Sequence, residues 1–417
     1  MSKTFVEKIL SKKSGKDITL GCIVEVEPDL CMSHDNAGLV IKKFREIGKT
    51  TVWNTEKILI ILDHRAPAES IKTANEHKII RDFVAEQGIE TFFEIGEGIC
   101  HQVVVEKLFI LPGQIGIGTD SHTTSYGSIG AFSTGIGATE MAAVWATGQI
   151  WFKVPESYKV TIKGNLPTGV FSKDVILHII GDIGCDGAIY KSIEFYGETV
   201  EKMTISDRFV LSNLSMEMGA KSAVVPFDRI TEKYIRNKGV FAFEPVFADN
   251  DAQYEKTFEY DVSNLEPQVA FPHSVDNVKP VSQANGIKVN QVFIGSCTNG
   301  RVDDLEISAK ILKGKNIDKN VRLIIGPASK EIYSISLKKG LLDTFLNAGA
   351  VIINPGCGPC LGAHQGIIGD GEVAVTTTNR NFKGRMGSTK GEVYLTSPAT
   401  AAASAIKGEI TDPREFL

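Results

Sequence analysis

The sequence predicts an α/β protein of mostly parallel sheets joined by crossover helices. Two observations predict it: short apolar runs recur along the chain, each closing on a glycine or polar turn, and helical patterns follow several of them. In order, the runs are KILIILD (57–63), QIGIGTD (114–120), QVFIGS (291–296), RLIIGP (322–327) and AVIINPG (350–356). Between two of them, VDDLEISAKILKGK (302–315) carries a helical pattern. SPATAAASAIKG (397–408) reads as a helix with Ser397 as N-cap, Pro398 in its first turn and Gly408 at its end. The stretch from Gly127 to Phe152 is weakly polar, but it is rich in Gly, Ala and Thr and contains Glu140. It reads as small-residue core packing and not as a membrane span. Two softer zones suggest boundaries: one near 153–158, before the strand-like YKVTIKG, and one at 266–286, proline-bearing and without periodicity, which reads as a linker. Three lobes follow, at 1–155, 156–275 and 285–417. In such folds ligands sit beyond the carboxyl ends of the strands, and the polar motifs of this chain fall in those loops.

Composition excludes several classes of function. The 417 residues suffice for roughly two or three domains, and 42% hydrophobic with 23% charged is ordinary for a soluble globular protein. A net charge of −5 gives no electrostatic footprint for nucleic acid or an anionic membrane. An anionic substrate therefore needs local cations in a pocket. The seven cysteines do not form a disulfide framework in a chain this long, and the N-terminal residues lack the apolar core of a signal peptide. A reducing cytoplasm is the expected location.

Three of those cysteines carry the chemistry. Cys297 lies in IGSCTNGR (294–301), and Cys357 and Cys360 lie in NPGCGPCLGAHQG (354–366), both glycine-flanked segments that let backbone approach a bulky ligand. Cys-x-x-Cys by itself fits a thiol–disulfide pair, half of a zinc site or an iron–sulfur ligand set. No second Cys-x-x-Cys and no His-x-x-x-His occurs, and the third cysteine has its own glycine-bounded loop, so the cluster reading leads. A cubane cluster normally takes four thiolates; with three, one iron keeps an open position and acts as a Lewis acid.

Together with NRNFKGR (379–385), GTDSHT (118–123), LDH (62–64) and EGICHQ (97–102), these segments resemble the aconitase superfamily of hydro-lyases, in order along nearly the whole chain. The resemblance is strongest to its isopropylmalate and homoaconitate branch, since true aconitases have glutamine where His34 stands. It implies three α/β lobes around a central [4Fe-4S] cluster held by Cys297, Cys357 and Cys360. It implies that His64 protonates the leaving hydroxyl while Asp63 sets its charge. By the same resemblance Asp120, Ser121 and His122 contact the water at the metal and a substrate carboxylate, with His101 and Glu194 completing the network. Three consecutive residues cannot face one another as a hydrolase triad, so that reading of Asp120-Ser121-His122 falls away. Arg380 and Arg385 suit carboxylates or the cluster, His34 stands on the substrate side, and Asn379, Asn299 and Arg301 are placed to donate to cluster sulfur. Lys383 is expected in solvent, and Cys22, Cys31, Cys100 and Cys185 as small buried hydrophobes.

The family's swivelling domain, which carries the catalytic base, has no counterpart after the last helix, so it is expected on a separate small subunit. The implied reaction is reversible dehydration and rehydration of a hydroxy di- or tricarboxylate: isopropylmalate first, then homocitrate-type or dimethylmalate substrates. Two readings of other classes are a thiol–disulfide protein using Cys357 and Cys360, and an RNA-binding cluster-free form.

Overall fold

The run at 57–63 forms strand Ile58–Ile61, buried at every position, as expected of a strand covered on both faces. In the computed structural model, which describes residues 2–417, it lies second in a five-stranded sheet. The order across that sheet is Phe92–Phe93, Ile58–Ile61, Leu30–Ser33, Ile115–Gly118 and Phe132–Gly135, with every pairing parallel. A second, four-stranded parallel sheet runs Ser222–Val224, Ser192–Tyr196, Ser157–Lys163, Lys256–Asp261. A third has seven strands, with Gln291–Ile294 between Val373–Thr376 and Arg322–Ile325. Only its pairings at Gln268–Ala270 are antiparallel. The α/β class with mostly parallel sheets is thus the observed one.

The segment at 266–286 is not a linker. Its strands Gln268–Ala270 and Val278–Pro280 pair with each other and, through Ala270 and Leu395, with the seven-stranded sheet. Strands of three residues at a sheet edge, bounded by prolines, leave no periodicity to read. The small-residue stretch 127–152 divides among a 3-10 turn, two strands and helix Ala138–Thr147, and no helix among the described residues is long and apolar enough to cross a membrane. Helix Pro398–Lys407 starts on proline and stops at Gly408, whose φ of 73° closes it in the left-handed region. Its alanines are fully buried and pack on helix Val302–Leu312.

One apolar core runs from Met32, Leu59 and Ile61 of the first sheet to Val292, Ile294 and Val375 of the third. Another joins Val160, Ile193 and Phe195 of the second sheet to Phe293, Ala374 and Cys360. These shared cores lock the strand ends of three sheets around one locus. The 3-10 turn Ser121–Ile129 is seated by backbone contact: Val225 N–H donates to Gly127 O at 3.0 Å, and a Cβ on Gly127 would lie 1.7 Å from Ala223 O. Gly127→Ala should therefore lower stability by about 1–3 kcal/mol. Thermal unfolding of the cluster-free chain measures it, and an unchanged Tm would mean that the two backbones separate freely.

Candidate active site

Three neighbouring parallel strands, Ile58–Ile61, Leu30–Ser33 and Ile115–Gly118, deliver Asp63-His64, His34-Asp35 and Asp120-Ser121-His122 to one edge of the first sheet. His64 Nδ1 lies 2.7 Å from Asp63 Oδ1, and its Nε2 lies 3.5 Å from Asp120 Oδ2. The other Asp63 oxygen accepts the Cys100 N–H at 2.7 Å. Asp120 Oδ1 lies 2.8 Å from His101 Nε2 and accepts the His122 amide N–H at 2.8 Å. The His34 ring stacks on His64 with centroids 4.0 Å apart, and among the described residues its buried Nδ1 has no partner. Asp35 serves the backbone of this group. Its carboxylate accepts the amide N–H groups of Asp63, His64 and Arg65 and lies 2.8 Å from His77 Nε2.

Electrostatics decide the protonation states. Burial works against a charged His64 ring, but the Asp63 and Asp120 carboxylates outweigh it and hold the imidazole well above its usual value. Burial likewise opposes ionisation of Asp120, yet hydrogen bonds from His101, His122 and His64 keep it well below the carboxylate range. His64 is thus an imidazolium between two carboxylates, with Nδ1 anchored and Nε2 available as a proton donor.

The cysteines converge beside this group from the third sheet. Cys297 opens the short turn after strand Gln291–Ile294, preceded by Ser296 at a φ of 78°, the left-handed region. Cys357 and Cys360 bracket the turn after Val351–Ile352, and the Cys357 N–H donates to Asp63 O at 2.9 Å. All three are buried and free. Asn379, delivered by strand Val373–Thr376, lies within 3.7 Å of both the Cys297 and Cys360 sulfurs. Asn213 Nδ2 lies 3.3 Å from Cys297 Sγ and Arg385 Nη2 3.7 Å from Cys360 Sγ. Burial pushes the Cys297 thiol up to about 11. Within the Cys357–Cys360 pair, the shared hydrogen bond and Arg385 hold Cys360 low. Buried thiols ringed by N–H donors and a guanidinium fit an anionic iron–sulfur cluster, whose sulfurs accept such bonds.

The structure brings together His34, Asp63, His64, His101, Asp120, Ser121, His122, Asn379, Arg380, Arg385 and the three cysteines. It does not bring Glu194 or Asn299. Glu194 is fully buried elsewhere, accepting from Phe5 N–H and the hydroxyls of Tyr196 and Tyr254. Strand Ser192–Tyr196 turns that side chain toward the N-terminal helix. Asn299 donates to Asp304 at 2.9 Å, and Arg301 donates to the carbonyls of Cys297 and Thr298 rather than to sulfur. Cys22 is exposed in the loop before strand Ile23–Val26, not buried; Lys383 is exposed as expected. The acid that does face the site is Glu217, 2.8 Å from His122 Nε2 and 2.8 Å from Arg380 Nε, while Arg380 Nη2 donates to Ser121 Oγ at 3.0 Å. Its signal in the sequence is faint: a lone acid between Met216 and Met218 at the end of an apolar helix. Asn213 on the same helix and the buried Lys173 were also not singled out by pattern.

The sequence pattern of the aconitase family (aconitate hydratase) matches residues 7–408. The chain belongs to the aconitase family. It is 53% identical over 418 residues to the 3-isopropylmalate dehydratase large subunit 1 of Methanopyrus kandleri, covering all of both chains. It is 52% identical over 389 residues to a probable methanogen homoaconitase large subunit of Methanosarcina mazei, covering 93% of this chain and 99% of that one. Among solved structures, aconitase X of Thermococcus kodakaraensis shares the fold at a TM-score of 0.50 and 13% identity, covering 85% of this chain and 84% of that one. This aconitase-family chain is a hydro-lyase, and an iron–sulfur cluster goes with that membership.

The His64 charge has a pH signature. Because its folded-state value is raised, its contribution to stability is complete below about pH 6.5 and is lost as pH rises through the folded value. Imidazole NMR of the cluster-free chain should show His64 titrating above about pH 6.5 and moving down in Asp63→Asn. A midpoint unmoved by that substitution would sink the carboxylate explanation.

Proposed function

We propose that this chain is the catalytic large subunit of a two-subunit hydro-lyase that interconverts 2-isopropylmalate and 3-isopropylmalate by dehydration and rehydration. One observation carries the mechanism: a carboxylate-clamped His64 imidazolium and three free buried cysteines meet where Cys357 N–H bonds Asp63 O. The full-length relatives named for 3-isopropylmalate dehydratase support the substrate. Relatives of similar identity named for homoaconitase support a second reading, with a homocitrate-type substrate.

Cys297, Cys357 and Cys360 hold a [4Fe-4S] cluster. Bound by these three thiolates, such a cluster would supply a Lewis-acidic iron to polarise the C–O bond of a substrate hydroxyl. The remaining work falls to side chains. His64 releases its Nε2 proton to the departing hydroxyl while Asp63 keeps Nδ1 fixed. Asp120, oriented by His101, stands 3.5 Å from that nitrogen and stabilises the imidazolium, and in the reverse direction His64 Nε2 takes the proton back from the adding water. Arg380 and Ser121 receive a substrate carboxylate, with Glu217 fixing the guanidinium from behind. His34 lies against the His64 ring, where it shields the donor and borders the substrate. Asn379 and Arg385 donate toward the cysteine sulfurs. The base that removes the carbon proton arrives on the small subunit that the relatives' names as large subunits imply, so this chain alone should be nearly inactive.

The decisive assay is anaerobic. The chain, reconstituted with iron and sulfide and mixed with its small subunit, is offered isopropylmalate and homocitrate while absorbance of the unsaturated product is followed. Turnover of isopropylmalate supports the proposal; exclusive turnover of homocitrate moves the chain to the second reading, and no turnover of either with the cluster in place refutes both. Cys357→Ser should abolish visible cluster absorbance and turnover together. Glu217→Gln, which loosens Arg380 and His122 without touching a cysteine, should keep the cluster and slow turnover roughly 10- to 100-fold.

A further inference from the structure

Lys173, in the first turn of helix Ser172–Ile183, is completely buried. Its ammonium donates to Thr377 O at 2.9 Å and Thr378 O at 2.7 Å, the two carbonyls immediately before Asn379. Among the described residues no carboxylate pairs with it. The adjacent Asp174 commits its oxygens to the amide N–H groups of Phe171 and Gln268, at 2.9 and 2.8 Å. Burial pushes the Lys173 amine down to about 7, so it stays a full ammonium only where negative charge lies nearby. The groups opposing that shift most strongly are Cys297 and Cys360, ahead of Asp304 and Asp174. The backbone holding the ammonium leads straight into Asn379, whose side chain lies within 3.7 Å of those same two sulfurs.

We infer that Lys173 is the built-in counter-cation of the cysteine-bound cluster, raising its reduction potential and slowing its loss. The inference rests on the cofactor reading above. Lys173 touches no reacting atom and acts through the sulfurs. One-electron reduction adds negative charge to the cluster, so a cation fixed nearby in a low-dielectric surrounding favours the reduced state. The same charge attracts the anionic cluster and so opposes its departure. Two carbonyl acceptors hold the ammonium in place without neutralising it, which suits this role better than an ion pair would.

The test compares wild type with Lys173→Met, Lys173→Gln and Lys173→Arg in the anaerobically reconstituted large and small subunits together. Gln keeps an N–H donor for the carbonyls without the charge; Arg keeps the charge. A dithionite titration followed by electron paramagnetic resonance gives the midpoint potential, and chelator capture gives the rate of iron release. Both neutral variants should lower the reduction equilibrium constant at least tenfold, about 59 mV for one electron, and release iron at least tenfold faster. Lys173→Arg should stay near wild type in both. Wild-type potential and release rate in the neutral variants would overturn the inference. So would failure of both neutral variants to fold as cluster-free chains, because the role would then be structural. A wild-type chain that takes up no cluster overturns the cofactor reading, and this inference with it.

Discussion

The backbone and carboxylate of Asp63 are the constraint on which the rest of the site depends. Its amide N–H goes to Asp35, its carbonyl accepts Cys357 N–H, one carboxylate oxygen holds His64 and the other receives the Cys100 N–H. One side chain at 1% exposure thus ties the first sheet to the cysteine loop of the third and to the helix carrying His101. A buried carboxylate this fully engaged has little freedom to relax, so the imidazole it clamps inherits a fixed direction. The distance between the proton donor and the cysteines is then set by strands and shared cores, not by loops alone.

Asp35 makes the clamp possible. A strand ending in three successive amide N–H groups, 63 to 65, would leave donors buried without partners. Asp35, from the neighbouring strand, accepts all three and is itself held by His77 on the helix Ile71–Gln87. His34, Asp35, Asp63 and His64 present ligand-type atoms within 4.8 Å of one another, yet both carboxylates already have their hydrogen-bonding partners. Their chemistry is that of holding and moving a proton.

Legibility followed the same physics. Cys297, Cys357, Cys360, Asp63-His64 and Asp120 to His122 were readable because they stand in glycine-rich turns after apolar strands, where a dense polar triplet has no structural excuse. Arg380 and Arg385 were readable as forks on an irregular loop. Glu217, Asn213 and Lys173 were not, because each occupies a helix or its end, where a single polar residue looks like a solvated or capping position. Only tertiary packing reveals that their surroundings are closed. Glu194 failed for the opposite reason. A lone acid in a strand carries no sign of which partner it meets, and here it caps the N-terminal helix through Phe5 N–H and binds two tyrosines.

The charged groups between the first sheet and Arg380 alternate in sign. Asp63 meets His64 at 2.7 Å, His64 meets Asp120 at 3.5 Å and Asp120 meets His122 at 3.4 Å. His122 then meets Glu217 at 2.8 Å, and Glu217 meets Arg380 at 2.8 Å. Such a chain balances itself, and each member stabilises the charge of the next, so its protonation behaves as a coupled unit. It also fixes Arg380 before substrate arrives, which reduces the ordering cost of binding a carboxylate. The balance has a consequence for a dicarboxylate substrate. Its negative charge exceeds what this neutral chain offers, and Arg385, which pairs with no carboxylate among the described residues, is directed at Cys360. In the proposed enzyme the further cations must therefore come from the small subunit, so substrate charge is neutralised only when the two subunits close on each other.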